Sequence, residues 1–462
     1  MRLCTFLSAA VLAAFSSWST PSHAKDPKNL VFIIVDDMNN WPTPYSGHPD
    51  AYTPSMEEIA EAGFRLNGIS PSPACSSART AIFSGISPST SGVYGNHQSI
   101  FDLAKKRSFR TLPGLLRARG MYVGGAGKIF HHSVPNRKLD LHDWDEYWLP
   151  KDWKAKRFDQ GYRRSEYARQ QSGAETQQDW GVGEYADLHD NEVTDWAVAR
   201  LAAYRKAGRR FALFVGLTGP HLPIVAGQRY HDMVPDHPSL PPQIPANLPY
   251  EDAIQRDLAD VPDAAFPRRQ WFESEIYQGL VEYDEYEDFL RAYLAVLART
   301  DENIGRLFDA YNDLGFDEDT LFVVTSDHGF HLGSKGKFSK FTLWQESLQV
   351  PLLLVSPNLD SGIATSRPVS LLDLYPTVLR MLKMRIPDWV EGANHRKKLI
   401  NARNVKKMPV WAYFDDNGQS QLRSAVIDGR RKVIYNRPGR EVYKLSNDPY
   451  ELTNIASSVQ GY

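Results

Sequence analysis

Three short runs of apolar and β-branched residues each stop at a polar cluster, and this pattern limits the fold more than any other feature. Asn29–Val35 (NLVFIIV) ends at Asp36-Asp37. Phe211–Leu217 ends at Thr218-Gly219-Pro220-His221, and Leu321–Thr325 at Ser326-Asp327-His328-Gly329. Continuous apolar runs of this length suit strands buried on both faces, as in a parallel sheet covered by helices. Val350–Val355 is a fourth such run. Ligands of these sheets bind beyond the carboxyl ends of the strands, so the polar clusters mark the candidate site.

The segments between the runs read as helices. Thr53-Pro54 opens a helix to Ala62, with Thr53 as cap and Gly63 as stop. Arg110–Arg119 is amphipathic and ends at Gly120; residues 121–126 are the next strand. Asn191–Lys206 and Tyr283–Leu314 are further helices. Residues 133–190 are polar, aromatic and aperiodic, and read as long insertions over one end of the sheet. Pro235–Leu248 is proline-rich loop. After residue 404 the texture shifts to short strands, at Val410–Phe414, Gln421–Ile427 and Lys432–Tyr435, with a final helix or tail. The expectation is an α/β fold: a mostly parallel central sheet flanked by helices over residues 25–404, and a small antiparallel sheet over 405–462.

The chain has 462 residues with 53 basic and 55 acidic side chains, a formal charge of -2. That balance does not suggest a nucleic-acid footprint, which needs a concentrated basic face, and it leaves room for a local basic pocket, because net charge says nothing of distribution. Arg2, the apolar stretch Leu7–Phe15 and the small residues of Ser22-His23-Ala24 read as a secretory leader over residues 1–24. The leader is too short to span a bilayer, and no later run is long and apolar enough to insert stably. The mature chain is therefore expected to be secreted or periplasmic. Cys4 leaves with the leader, so Cys75 is the one mature cysteine and no internal disulfide can form. A single thiol in an oxidising compartment points to reactivity or to a packed, inert side chain.

Asp36, Asp37 and Asp327 at strand ends offer the oxygen ligands a hard divalent cation prefers, and calcium suits them better than zinc. His328 is either a nitrogen ligand or a bridge to substrate. Cys75 opens a helical-looking run, PACSSARTAIFSG, whose N-terminus would present amide donors to an anion, with Arg79 one turn on. Lys128 and His131 follow the strand at 121–126 in GKIFHH; Lys337 and Lys340 follow Asp327 in SDHGFHLGSKGKFSK. Lysines in glycine-rich loops beside a metal site suit the grip of a tetrahedral oxyanion.

With these stretches, together with VFIIVDDM, GLTGPHLP, VSLLDLYPTVL and EVYKLSNDPYELTNIA, nearly the whole chain resembles the type I sulfatases of the alkaline-phosphatase-like superfamily, and iduronate-2-sulfatase-like members in particular. The resemblance implies calcium held by Asp36, Asp37, Asp327 and His328, with Cys75 oxidised to formylglycine completing the shell. It implies that Arg79 bonds the modified side chain and that Lys128, His131, His221 and Lys340 surround the transferred sulfate. It also implies a formylglycine-generating maturation enzyme as partner. One departure stands out: the Cys-x-Pro-x-Arg maturation signal has Ser77 in place of proline.

A hydrated aldehyde at residue 75 would attack sulfur through one hydroxyl and displace an alcohol. Deprotonation of the second hydroxyl would then expel sulfate and restore the aldehyde. His131 is the expected base and His221 the acid for the leaving alcohol. The expected substrate is a small-molecule or saccharide sulfate ester. A phosphomonoester, phosphodiester or phosphonate ester hydrolase, and a binding protein that failed to mature, are the alternatives on the same scaffold.

Overall fold

The computed structural model describes residues 25–459 apart from 46, 132–142, 151–179, 184, 242–243, 245–249, 263–279, 281, 402–407, 416–421 and 437. The leader expected over 1–24 and most of the insertion expected over 133–190 lie outside the described residues.

Eight strands form the central sheet: β1 (Asn29–Val35), β2 (Phe64–Ile69), β3 (Tyr122–Gly127), β4 (Glu146–Trp148), β5 (Phe211–Leu217), β6 (Thr320–Ser326), β7 (Gln349–Val355) and β8 (Ile363–Ser370). Their order is β8-β2-β7-β6-β1-β5-β3-β4. β1 lies parallel between β5 and β6, with Val35 opposite both Leu217 and Ser326. The three polar clusters are thereby brought side by side at one edge. β7 alone runs against its neighbours β2 and β6.

The residues of β1 show why the run is uniformly apolar. Val31, Ile33 and Val35 enter one core, and Leu30, Phe32 and Ile34 enter the other. The first core is closed by helices α1 (Pro54–Ala62), α4 (Tyr185–Lys206) and α5 (Tyr286–Asp313). The second is closed by α2 (Cys75–Ser84), α3 (Leu112–Ala118) and α6 (Leu374–Met381). Both layers bury apolar surface, the principal favourable contribution to folding.

Several expectations change in detail. Thr53 precedes α1 without capping it, because its hydroxyl is bonded to Thr43. The cap comes from Asp301 on α5, whose carboxylate accepts from the amides of Ser55 at 2.9 Å and Met56 at 2.8 Å. α1 ends at Gly63, and the position needs glycine because a Cβ there would lie 2.2 Å from the carbonyl oxygen of Leu354. α4 starts six residues earlier than Asn191, and part of the expected insertion is strand, in β4 and in Trp180–Val182, which pairs with Ile224–Ala226. No helix among the described residues is long and apolar enough to cross a membrane.

The C-terminal sheet is antiparallel and has four strands in sequential order: β9 (Val410–Phe414), β10 (Arg423–Ile427), β11 (Lys432–Tyr435) and β12 (Arg440–Tyr443). Beyond it the described residues form turns and irregular chain and no helix. Ala412, Phe414, Ala425 and Ile427 pack with Ile69, Ala74, Phe341 and Trp344. The small sheet is thus docked against the neighbours of Cys75 and Lys340.

Candidate active site

Asp36 and Asp37 follow β1, and Asp327 and His328 follow β6, the adjacent strand. Asp37 has φ of 66°, a left-handed conformation that Asp tolerates better than most residues. Its backbone is held on both sides: its amide donates to Asp327 Oδ1 at 3.3 Å, and Tyr293 from α5 donates to its carbonyl at 3.0 Å. Ser326 accepts from the amide of Met38 and donates to the carbonyl of His328, which ties the two strand ends together.

Cys75 is the first residue of α2. Ala74 has no side chain to cap the helix, and Asn96 Oδ1 accepts from the Ser76 amide instead, at 3.0 Å. The Cys75 sulfur lies 3.1 Å from His328 Nε2 and 3.1 Å from Lys340 Nζ. His328 donates through Nδ1 to the carbonyl of Gly329, so Nε2 is the nitrogen turned to the site. One turn along α2, Arg79 pairs through Nε with Asp327 at 2.7 Å and through Nη2 with Asp36 at 3.3 Å. Its Nη1 donates to the carbonyls of Lys128 and Ile129. Lys128 pairs with Asp36, and Lys340 with Asp37 at 2.6 Å.

Three buried carboxylates thus face three buried permanent cations, Arg79, Lys128 and Lys340. Burial pushes Asp37 up to about 7, with Lys340 opposing and Asp36 adding to the rise. Burial would also hold the Cys75 thiol up, but Lys340 and Lys128 bring it down to about 7. Burial opposes protonation of His328, yet Asp327 and the Cys75 sulfur raise it to about 9. Asp36 is depressed: burial works against its ionisation, and Lys128 and the other nearby cations outweigh it.

The carboxylates suit a hard divalent cation, and the Cys75 sulfur stands where an oxygen of a modified residue 75 would lie, the thiol itself being a soft donor. Asp36, Asp37, Cys75 and His328 offer ligand atoms within 4.8 Å of one another, all buried. Asp327 stands beside this group, with Oδ2 on Arg79 and 3.8 Å from His328 Nε2. Close carboxylates repel one another, and a cation between them would offset that cost.

The two histidines occupy different positions. His221 Nε2 lies 3.9 Å from Asp37 Oδ2 and the ring is half-buried, with Nδ1 donating to the carbonyl of Leu222 at 2.6 Å. His131 flanks α2, where it lines a small pocket with Ser76, Arg79 and Thr80. Lys337 is buried in the loop that carries Lys340. Tyr293, Ser326 and Asn96 were not singled out from sequence. Each acts on backbone, and a side chain that bonds a distant backbone group leaves no local motif.

The sequence profile of the sulfatase family matches residues 28–384, and that of the C-terminal region of N-sulphoglucosamine sulphohydrolase matches 333–461. The chain belongs to the sulfatase family. Membership places it among hydrolases of sulfuric esters. A sulfatase of Formosa agariphila is 28% identical over 456 residues, covering 94% of this chain and 84% of the relative. Iduronate 2-sulfatase of Mus musculus is 22% identical over 402 residues, covering 84% and 69%. Among solved structures, a protein in complex with its substrate D-glucosamine-2-N,6-O-disulfate superposes with a TM-score of 0.67 at 21% identity, covering 93% of both chains. A phosphonate monoester hydrolase from Silicibacter pomeroyi superposes with a TM-score of 0.70 at 19% identity, covering 93% of this chain and 91% of that one. These superpositions carry the alkaline-phosphatase-like fold.

Proposed function

We propose that this sulfatase removes sulfate from a sulfated carbohydrate, using formylglycine made from Cys75 and one calcium ion. The observation that carries the reading is the Cys75 sulfur at the start of α2, 3.1 Å from both Lys340 and His328 and grouped with Asp36 and Asp37. Asp36, Asp37, Asp327 and His328 would hold calcium, which supplies Lewis acidity at the oxygen of residue 75. In its aldehyde form residue 75 supplies a hydrated carbonyl, with one hydroxyl for attack on sulfur and one for expulsion of sulfate.

The chain's own residues do the rest. Lys128, paired with Asp36, and Lys340, 3.1 Å from the Cys75 sulfur, would counter the charge on the sulfuryl oxygens. Arg79 fixes Asp36 and Asp327 against α2, so the first turn of the helix and the strand ends hold one spacing. With three carboxylates already balanced by three cations, a divalent ion leaves room for one ester anion and one ionised oxygen on residue 75. His221 protonates the leaving alcohol through Nε2, and His131 takes the proton from the second hydroxyl. A maturation enzyme must supply the oxidation of Cys75 and must accept Ser77 in place of proline. The same reading makes residues 1–24 an export leader and places the mature chain outside the cytoplasm, with residues 25–404 catalytic and 405–462 a C-terminal subdomain.

The sugar substrate is supported by the disulfated glucosamine bound to the structural relative. The test is a panel of sulfated saccharides and matched phosphate and phosphonate esters, assayed with calcium and with chelator. Calcium-dependent sulfate release from saccharides is expected. Release of phosphate or phosphonate without sulfate, by fully matured protein, would assign the alternative activity.

A further inference from the structure

The segment that carries His221 is clamped from below by two buried charged residues outside the catalytic group. Asp190, on α4, is 2% exposed, and Arg299, on α5, is 5% exposed. Asp190 Oδ1 accepts from the Thr218 amide at 2.9 Å, and Oδ2 from the Gly219 amide at 2.8 Å. These are the first two amides after β5, where the sheet no longer supplies acceptors. The turn is closed by the His221 amide donating to the Thr218 carbonyl at 2.9 Å. Asp190 therefore grips the residue to which His221 is tied.

Arg299 holds the same segment from the other side. Its Nη1 donates to the Val225 carbonyl at 2.8 Å, and its Nη2 lies 3.5 Å from Asp190 Oδ2. Thr300, its neighbour on α5, donates to the Gly219 carbonyl at 3.3 Å. A Cβ on Gly219 would stand 2.4 Å from Arg299 Nη2, so the turn needs glycine for the arginine to pass. The two helices are themselves joined by Asn303 and Asn191 at 2.9 Å. Asp190 stays ionised: burial opposes its charge, but His189, Arg299 and the Thr218 amide bring it down to about 2.

We infer that Asp190, backed by Arg299, is a positioning residue for His221 that sets the imidazole against the leaving oxygen. Two amides in a bidentate grip fix both the position and the tilt of the turn, and a neutral amide side chain cannot accept from both with the same strength. Proton delivery depends on sub-ångström placement, whereas Lys128, Lys340 and Cys75 are held by other elements. Loss of the grip should therefore damage the protonation step selectively. The inference rests on the reading of His221 as the acid.

The test compares two sulfate esters on matured, calcium-loaded protein. One is an aryl sulfate whose nitrophenolate leaves without a proton; the other is a sulfated sugar whose alkoxide needs one. Asp190→Asn is expected to lower kcat on the sugar sulfate at least about tenfold more than on the aryl sulfate, as part of the ~10²–10⁴ an acid contributes. Asp190→Glu should recover part of the lost selectivity. His221→Ala is the reference. If His221→Ala is selective and Asp190→Asn slows both esters equally, Asp190 only supports the fold and the inference fails. If His221→Ala itself is not selective, the acid assignment fails first, and the inference with it. Should Asp190→Asn not fold, Arg299→Lys carries the same comparison, with equal slowing again counting against the clamp.

Discussion

Replacing Arg79 with methionine should cost the unliganded protein about 3–5 kcal/mol of folding free energy, the range for removing one partner of a buried ion pair. The guanidinium is 1% exposed and reaches Asp327 at 2.7 Å and Asp36 at 3.3 Å, both fully buried, so solvent screening does not discount the pairs. It also satisfies the carbonyls of Lys128 and Ile129. Methionine fills the space and satisfies none of them. Lys128 still faces Asp36, which keeps the loss within the stated range, whereas Asp327 keeps two backbone amides and only the longer contact to His328 at 3.8 Å. Urea unfolding in chelator, followed by fluorescence and circular dichroism, measures the change. The double variant Arg79→Met/Asp327→Asn should regain more than half of the loss, because it leaves no unpaired charge at residue 327. A loss below about 1 kcal/mol for Arg79→Met, or no recovery in the double variant, would refute the electrostatic account of the site.

Ser77 occupies the third position of α2, where the amide has no partner within the helix. Ser77→Pro should therefore fold, giving up the hydroxyl bond to the Val93 carbonyl at about 1 kcal/mol, and should raise the fraction of aldehyde at residue 75 in a host with the standard maturation enzyme, read by peptide mass. Calcium should raise the melting temperature, with a gain of about 2.7 kcal/mol at a hundredfold excess over its dissociation constant, and Asp37→Asn should abolish most of the rise. Buried His331, bonded to Ser334 and Thr342, is pushed by burial and nearby lysines from 6.5 down to about 3. Its folded value lies below its unfolded one, so its contribution is complete above pH 6.5 and is lost as pH falls toward 3. The loss is on the order of 5 kcal/mol, and His331→Gln should flatten the stability–pH curve over that window.

The parallel core was legible because β1, β5 and β6 are buried on both faces and carry their chemistry at the carboxyl ends. β2 and β8 were not legible. Phe64–Ile69 contains Arg65, Asn67 and Gly68, and Ile363–Ser370 carries Thr365, Ser366 and Arg367 and is buried only over Pro368–Ser370, so neither shows a uniform apolar run. The reversal of β7 cannot be read from its sequence, since an apolar run looks the same in either direction. The nearness of Asp36, Asp37, Asp327 and His328 followed from strand ends meeting at one edge, whereas Cys75, at the start of α2, was tied to them only by the family resemblance. The bracing of Asp37 by Tyr293, of the start of α2 by Asn96 and of the His221 turn by Asp190 did not, because each is a single polar residue that finds its backbone partner only in the folded chain.

Everything in the catalytic reading turns on what residue 75 becomes in protein taken from its native host. Peptide mass analysis of that segment, combined with sulfate release under calcium, is the most direct measurement. The account predicts an aldehyde at residue 75 in the fraction of molecules that turn over. Full activity from protein whose residue 75 is wholly an unmodified thiol would contradict it.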